Sequence, residues 1–306
     1  MKITDGFLIL NKSKGCTSFD CIRQVRKLFN MRKVGHSGTL DPEVTGVLPV
    51  ALGSATKFIQ YLPQEKSYIG TIKLGIKTNT DDIHGEIVRQ KEWPKLSFDE
   101  LDKILDNFRG NFRQIPPLVS SVHVKGERAY AKSRRNEQFE LPSKEVNVHK
   151  LLLKDWNQDN GKLKIEVLCS SGTYIRSIAR DLGNILKSEG CLYDLHRIKA
   201  SGFHEINSFK FENICKIQSD IQNLIIPISS ALDHLPKIFL KTDQETLYWQ
   251  TGRKINLKAE HFSSNSNKEL KERFLIFNNA NKLLGIGIYY FETKSYLQPK
   301  LVLNAK

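Results

Sequence analysis

The chain has 306 residues, enough for one large or two modest domains with a proper core. Its 40% hydrophobic and 26% charged residues are ordinary for a globular protein, and no segment approaches the ~20 apolar residues that span a bilayer, which excludes a helical membrane protein. Lys+Arg number 47 against 33 Asp+Glu, net +14 with a pI near 9.5, a field that gathers polyanions, although a Lys-rich composition alone produces the same number.

In chain order, Phe7–Leu10 reads as a short strand and is too short for a signal sequence. The loop 11–15 leads to a helix opened by Thr17 and Ser18, with Asp20 in capping-box register and Phe19, Ile22, Val25 and Phe29 at helical spacing. Arg23, Arg26 and Lys27 lie on its other face; with Lys12 and Lys14 nearby they read either as a solvated surface or as phosphate contacts. Turn formers fill Gly35–Pro42, and Thr71–Leu74 alternates as a strand. A second helix is expected over Phe98–Arg109, with a Ser97/Glu100 capping box and Gly110 as its stop. Residues 163–169 alternate as a strand, and a helix follows from about Tyr174 to Lys187. Strands and helices mix without a βαβ rhythm, so the class is α+β.

A break falls near 230–240, dividing the chain into 1–235 and 236–306. The tail holds 12 Lys+Arg against 6 Asp+Glu and reads as short strands: Lys237–Leu240, Lys254–Leu257, Phe274–Phe277 and Leu284–Tyr290. The five cysteines form no CxxC pair and the histidines no metal-ligand spacing, so neither disulfides nor a metal site is expected, and a cytoplasmic location fits.

Asp41 is the first candidate for chemistry. A carboxylate on a glycine-punctuated loop, where a ligand can approach the backbone, suits a nucleophile or base. The plainer alternative is an Asp-Pro turn in which Asp41 caps its own backbone. The surrounding run Gly35-His36-Ser37-Gly38-Thr39-Leu40-Asp41-Pro42-Glu43-Val44-Thr45-Gly46-Val47-Leu48-Pro49 resembles the signature of the TruB family of tRNA pseudouridine synthases, with Val44 in place of the usual Ala. Lys66-Ser67-Tyr68 is similar to the family's K-x-Y, Gly75 to Gly85 to its GxxTxTxDxxG, and Gly172-Thr173-Tyr174-Ile175-Arg176 to its GTYIR. These motifs keep the family order. Two departures stand out. Ser13 replaces the Pro of the N-terminal KPxGxTS pattern, which puts loop rigidity in doubt. His123 replaces a Lys of the central pattern, with Lys125 two residues on.

The resemblance implies a pseudouridine-synthase fold, a mixed or antiparallel central sheet flanked by helices, followed by a small all-β PUA-like domain for RNA. It implies isomerisation of the uridine at position 55 in the tRNA T-loop, with no cofactor or metal. Asp41 would be the catalytic carboxylate and Arg176 its partner, since a nearby cation favours an ionised carboxylate. Tyr68 would stack on the flipped uracil and assist sugar deprotonation. Tyr174 and Leu195 would wall the pocket, and His36 would insert where the bases leave. The substrate would be the T-stem-loop of tRNA, and the family precedent is a monomer with no obligatory protein partner. Three alternatives stay open: an rRNA pseudouridine synthase, which would carry its Asp in an HRLDxxTxG context absent here; a guide-RNA-dependent relative; and an RNA chaperone without chemistry.

Overall fold

The structure is a computed structural model and describes residues 5–135, 137–217, 221–257, 271–290 and 295–303. One mixed sheet runs in the order Ile226–Pro227, Gly6–Lys12, Thr45–Leu52, Gly190–Ala200, Lys66–Leu74, Lys162–Cys169, Lys144–Asn157, Gly110–Gln114, with Val34–His36 and Phe203–His204 attached to its sides. All pairings are antiparallel except that between Gly190–Ala200 and Thr45–Leu52.

The two apolar strands at one end of this sheet are buried on both faces, and their period of two sorts side chains between two cores. Leu8, Leu10, Leu48, Val50 and Leu52 enter the larger core, which also receives Tyr68, Ile165, Ile178 and Leu182. Phe7, Ile9, Val47 and Ala51 face the opposite way and pack with Phe58, Phe203 and Leu232.

The first helix is Ser18–Leu28, with the Thr17/Asp20 capping box formed. Cys21, Ile22 and Val25 carry its buried face, but Phe19 is 57% exposed and lies between the guanidinium groups of Arg23 and Arg26, at 5.8 and 5.9 Å. Position 21 rather than 19 shares a helical face with 22 and 25, so the smaller side chain takes the core. Lys12 is also corrected: its ammonium is buried and donates to the carbonyls of Ser13, Cys16 and Pro42 at 2.7–3.0 Å. It staples the loop that lacks the family's Pro and is not a surface phosphate contact.

The second helix, Phe98–Leu105, tightens into a 3-10 turn over Asp106–Phe108. The helix after Tyr174 spans Ile175–Ile185 and stops short of Lys187, which takes φ +54° while Ser188 N–H returns to Gly183 O, a left-handed termination.

After Ile226–Pro227 the chain leaves the large sheet. Lys237–Phe239, Lys271–Phe277, Leu283–Tyr290 and Tyr296–Val302 build a separate four-stranded sheet, consistent with a PUA-like unit. It also carries a helix, Asp243–Gln250, started by a Thr242/Glu245 capping box. Of the strand expected at Lys254–Leu257, only a bridge from Ile255 to Leu297 forms. The small sheet has its own core around the buried Trp249, whose indole N–H donates to Leu284 O at 3.1 Å. Its other face, with Leu275, Phe277 and Ile286, completes the core begun by Phe7 and Phe58.

Candidate active site

The loop 37–44 joins the strand Val34–His36 to Thr45–Leu52 and is tied down on both sides of Asp41. Ser18 Oγ accepts from Leu40 N–H at 2.8 Å and donates to Leu40 O at 3.0 Å. Gly15 N–H and Lys12 Nζ both donate to Pro42 O. Arg197 lies entirely inside the protein and donates to Val47 O at 2.7 Å, Gly38 O at 3.1 Å and Thr39 O at 3.4 Å. A buried guanidinium is costly unless its donors are used, and here they fasten both ends of one loop.

Gly46 makes that approach possible. It takes φ +106°, and a Cβ there would stand 2.8 Å from Arg197 N. A side chain would therefore separate the parallel strands at the point where the loop is anchored.

The Asp41 side chain, 45% exposed, meets Arg176 Nη2 at 2.8 Å through Oδ2. Arg176 is only 7% exposed and is held by two carbonyls: Nη1 donates to Thr80 O at 2.9 Å and Nη2 to Val119 O at 3.0 Å. Asp82 Oδ2 stands 3.8 Å from Nη1. Position 176 is the second residue of its helix. Tyr174, just before the helix, is fixed by a reciprocal pair with the buried Gln114: Tyr174 N–H donates to Oε1 at 2.8 Å, and Nε2 donates to Tyr174 O at 3.1 Å.

A cavity of about 250 Å³ opens beside Asp41. Asp41, Tyr68, Tyr174, Arg176 and Leu195 all line it, together with Lys66. Gly70 lets Leu195 in, for a Cβ there would meet Leu195 Cδ1 at 2.8 Å. The strand Gly190–Ala200 breaks register against Lys66–Leu74 on both sides of Leu195, between Leu192 and Asp194 and between Arg197 and Lys199. Such irregularities re-aim side chains, here Leu195 and Arg197.

Burial pushes the Tyr68 hydroxyl above the usual phenol range, against the opposing pull of the Arg197 charge. Burial likewise raises Tyr174, with Arg176 opposing. His36 does not line the cavity. It sits on the short strand Val34–His36, where Nδ1 accepts from Gly38 N–H at 3.3 Å, and burial followed by the charge of Arg197 lowers its affinity for a proton. Among the described residues no three His, Cys, Asp or Glu side chains gather as a metal site, and no helix is long and apolar enough to cross a membrane.

The fold compares with solved structures. It superposes on a chain of a Cbf5-Nop10-Gar1 complex with TM-score 0.72 at 22% identity, covering 97% of this chain and 84% of that one. A second match, also at TM-score 0.72, is to an H/ACA RNP bound to a substrate RNA containing 2'-deoxyuridine, at 21% identity and covering 98% and 85%. At these identities the likeness concerns the fold. What is shared is the architecture, a mixed sheet flanked by helices with a small all-β sheet appended.

Sequence likeness carries further. The model of the TruB family pseudouridylate synthase N-terminal domain matches residues 26–175. Two proteins named tRNA pseudouridine synthase B, from Prochlorococcus marinus strains MIT 9301 and MIT 9312, are 57% and 56% identical over the whole of both chains. The chain belongs to the TruB family of pseudouridylate synthases.

Sequence reasoning missed the anchoring residues. Arg197 and Gln114 stand in runs with no distinctive spacing, and only their burial and carbonyl partners reveal them. Lys66 was legible as part of K-x-Y, but not as a wall of the cavity.

Proposed function

We propose that the protein isomerises the T-loop uridine of tRNA, position 55, to pseudouridine, with Asp41 as the reacting carboxylate. The observation that carries this reading is the 2.8 Å Asp41–Arg176 pair in a cavity walled by Tyr68, Tyr174 and Leu195. The names borne by the full-length relatives support tRNA as the substrate.

The reaction breaks the C1′–N1 bond, turns the base and forms C1′–C5. C5 gives up its proton and N1 gains one, so there is no net redox change. Asp41 serves either of two first steps, attack on C1′ or initiation of proton removal at C2′. Arg176, itself gripped by two carbonyls, gives that carboxylate a fixed direction. Tyr68 is a neutral phenol, which suits stacking on uracil; it takes a sugar proton only after releasing its own. Tyr174 and Leu195 close the sides. Extruding the uridine costs a few kcal/mol. A neutral His36 ring stacked in the vacated space recovers ~1–3 kcal/mol of it.

Residues 1–235 form the catalytic domain and 236–306 a PUA-like RNA-binding domain. The protein acts as a cytoplasmic monomer without an obligatory protein partner, which sedimentation with and without T-stem-loop RNA checks.

The test is Asp41→Ala assayed on a T-stem-loop transcript. Pseudouridine formation is expected to vanish while binding stays within about tenfold. Pseudouridine made by the variant would remove Asp41 from the mechanism. Tight binding with no product from the wild-type protein would favour an RNA chaperone instead.

A further inference from the structure

Apart from Arg176, one further cation, Lys66, lines the cavity, and Arg197 lies buried beside it, for a Cβ on Gly38 would stand 3.3 Å from Lys66 Nζ and 3.7 Å from Arg197 Nη1. Arg197 has its donors engaged by Val47, Gly38 and Thr39 carbonyls and is closed off from solvent. Lys66 is different. It opens the strand Lys66–Leu74, is half-buried and lines the cavity with Asp41 and Tyr68.

Its ammonium packs against the loop that carries Asp41, for a Cβ on Gly38 would stand 3.3 Å from Lys66 Nζ. Its strand neighbours across the sheet are Cys169 on one side and Ala200 on the other, neither an anion in the free protein; burial pushes the Cys169 thiol up to about 11. Among the described residues no carboxylate lies within 4 Å of Lys66 Nζ, and no hydrogen bond engages it. Asp41 is occupied by Arg176.

A lysine that gives up water beside a second cation, with three donors unused, lacks its anion. The ammonium is correspondingly easier to deprotonate than an ordinary lysine, first through burial and then through Arg197. A base carbonyl is a neutral acceptor and leaves that excess charge standing. A phosphate cancels it, and a flipped nucleotide brings two phosphates to the mouth of this cavity.

We infer that Lys66 is the anion-recognition residue of the pocket, its ammonium binding a backbone phosphate that flanks the extruded uridine. The inference rests on the uridine-flipping reading above. It adds a fixed point on the sugar–phosphate chain, so that the ribose is held from the phosphate side while Asp41 meets it from the Arg176 side.

The test is a chemical double-mutant cycle. T-stem-loop RNAs carry a neutral methylphosphonate in place of the phosphate on the 5′ or the 3′ side of the target uridine. Wild type, Lys66→Met and Lys66→Gln are assayed for binding and for single-turnover pseudouridine formation, with melting curves to confirm folding. Neutralising one of the two phosphates is expected to weaken wild-type binding about tenfold, while the same RNA costs the Met and Gln variants less than about twofold. Both variants are also expected to bind unmodified RNA about tenfold less well, with a salt dependence shallower by about one contact. Lys66→Arg should recover most of the binding.

Equal losses in wild type and variants at both linkages would overturn the assignment, as would a wild type indifferent to both. If one variant does not fold, the other and the wild-type comparison still decide. A wild-type protein that makes no pseudouridine on the unmodified RNA would overturn the parent reading as well, so the two failures are separable.

Discussion

Arg176 shows how one side chain can serve several partners at once. Its guanidinium joins the Asp41 carboxylate, the Thr80 and Val119 carbonyls and the nearby Asp82. A lysine has the charge but not the planar fork. Arg176→Lys is therefore expected to lower the single-turnover rate on a T-stem-loop by about a hundredfold, with binding changed less than about tenfold; a rate within threefold of wild type would show that charge alone suffices. His36 carries a pH signature. Its folded-state proton affinity is lowered, so its contribution to stability is present above its ordinary value of about 6.5 and is lost as the pH falls below that. The fall in melting temperature between about pH 7 and pH 5.5 should be smaller in His36→Gln than in wild type, and an equal fall would remove His36 from the acid response. Of the site residues, Asp41, Tyr68, Tyr174, Arg176 and Leu195 are legible from motif resemblance and share one cavity. Arg197 is not, because three carbonyls 150 or more residues away in sequence define its role.

Elements were legible where local rules decide them. The Thr17 and Ser97 capping boxes start their helices at the expected residues, since the cap and its partner are three apart in sequence. Thr17→Ala should cost about 1 kcal/mol in denaturant melts. Helix ends were read less well. The left-handed Lys187 stops one helix early, and the 3-10 turn at Asp106–Phe108 shortens another. Spacing alone groups Phe19 with Ile22 and Val25, yet tertiary packing buries Cys21 in its stead. The strand Gly190–Ala200 depends on two glycines opposite it. Gly46→Ala, forced into φ +106° against Arg197 backbone, is expected to cost about 2 kcal/mol or more and to lower the rate by loosening the Asp41 loop; a stable variant of normal rate would show that the loop keeps its place without this contact.

Across the whole molecule, the small sheet is not a free appendage. Leu275, Phe277 and Ile286 fill the same core as Phe7, Phe58 and Phe203. Ending the chain after residue 235 uncovers that apolar surface, so the truncated protein is expected to melt several degrees lower and to aggregate more readily, as light scattering during a thermal ramp would show. A fragment as stable as the full chain would mean the shared core contributes little. The net charge of +14 predicts RNA affinity that falls steeply between about 50 and 200 mM salt, measured by filter binding. A flat response would argue against phosphate contacts as the main source of affinity.

The sequence by itself determined the family, the α+β class and the starts of the helices at Ser18 and Phe98, because contiguous motifs and caps act over a few residues. The tertiary structure alone decided the 2.8 Å geometry of the Asp41–Arg176 pair, that Lys12 points inward, that Arg197 anchors the loop and that Lys66 has no anion beside it among the described residues. Those facts depend on burial and on partners far apart along the chain, and burial is what turns a charged side chain from a solvated group into one that needs a partner.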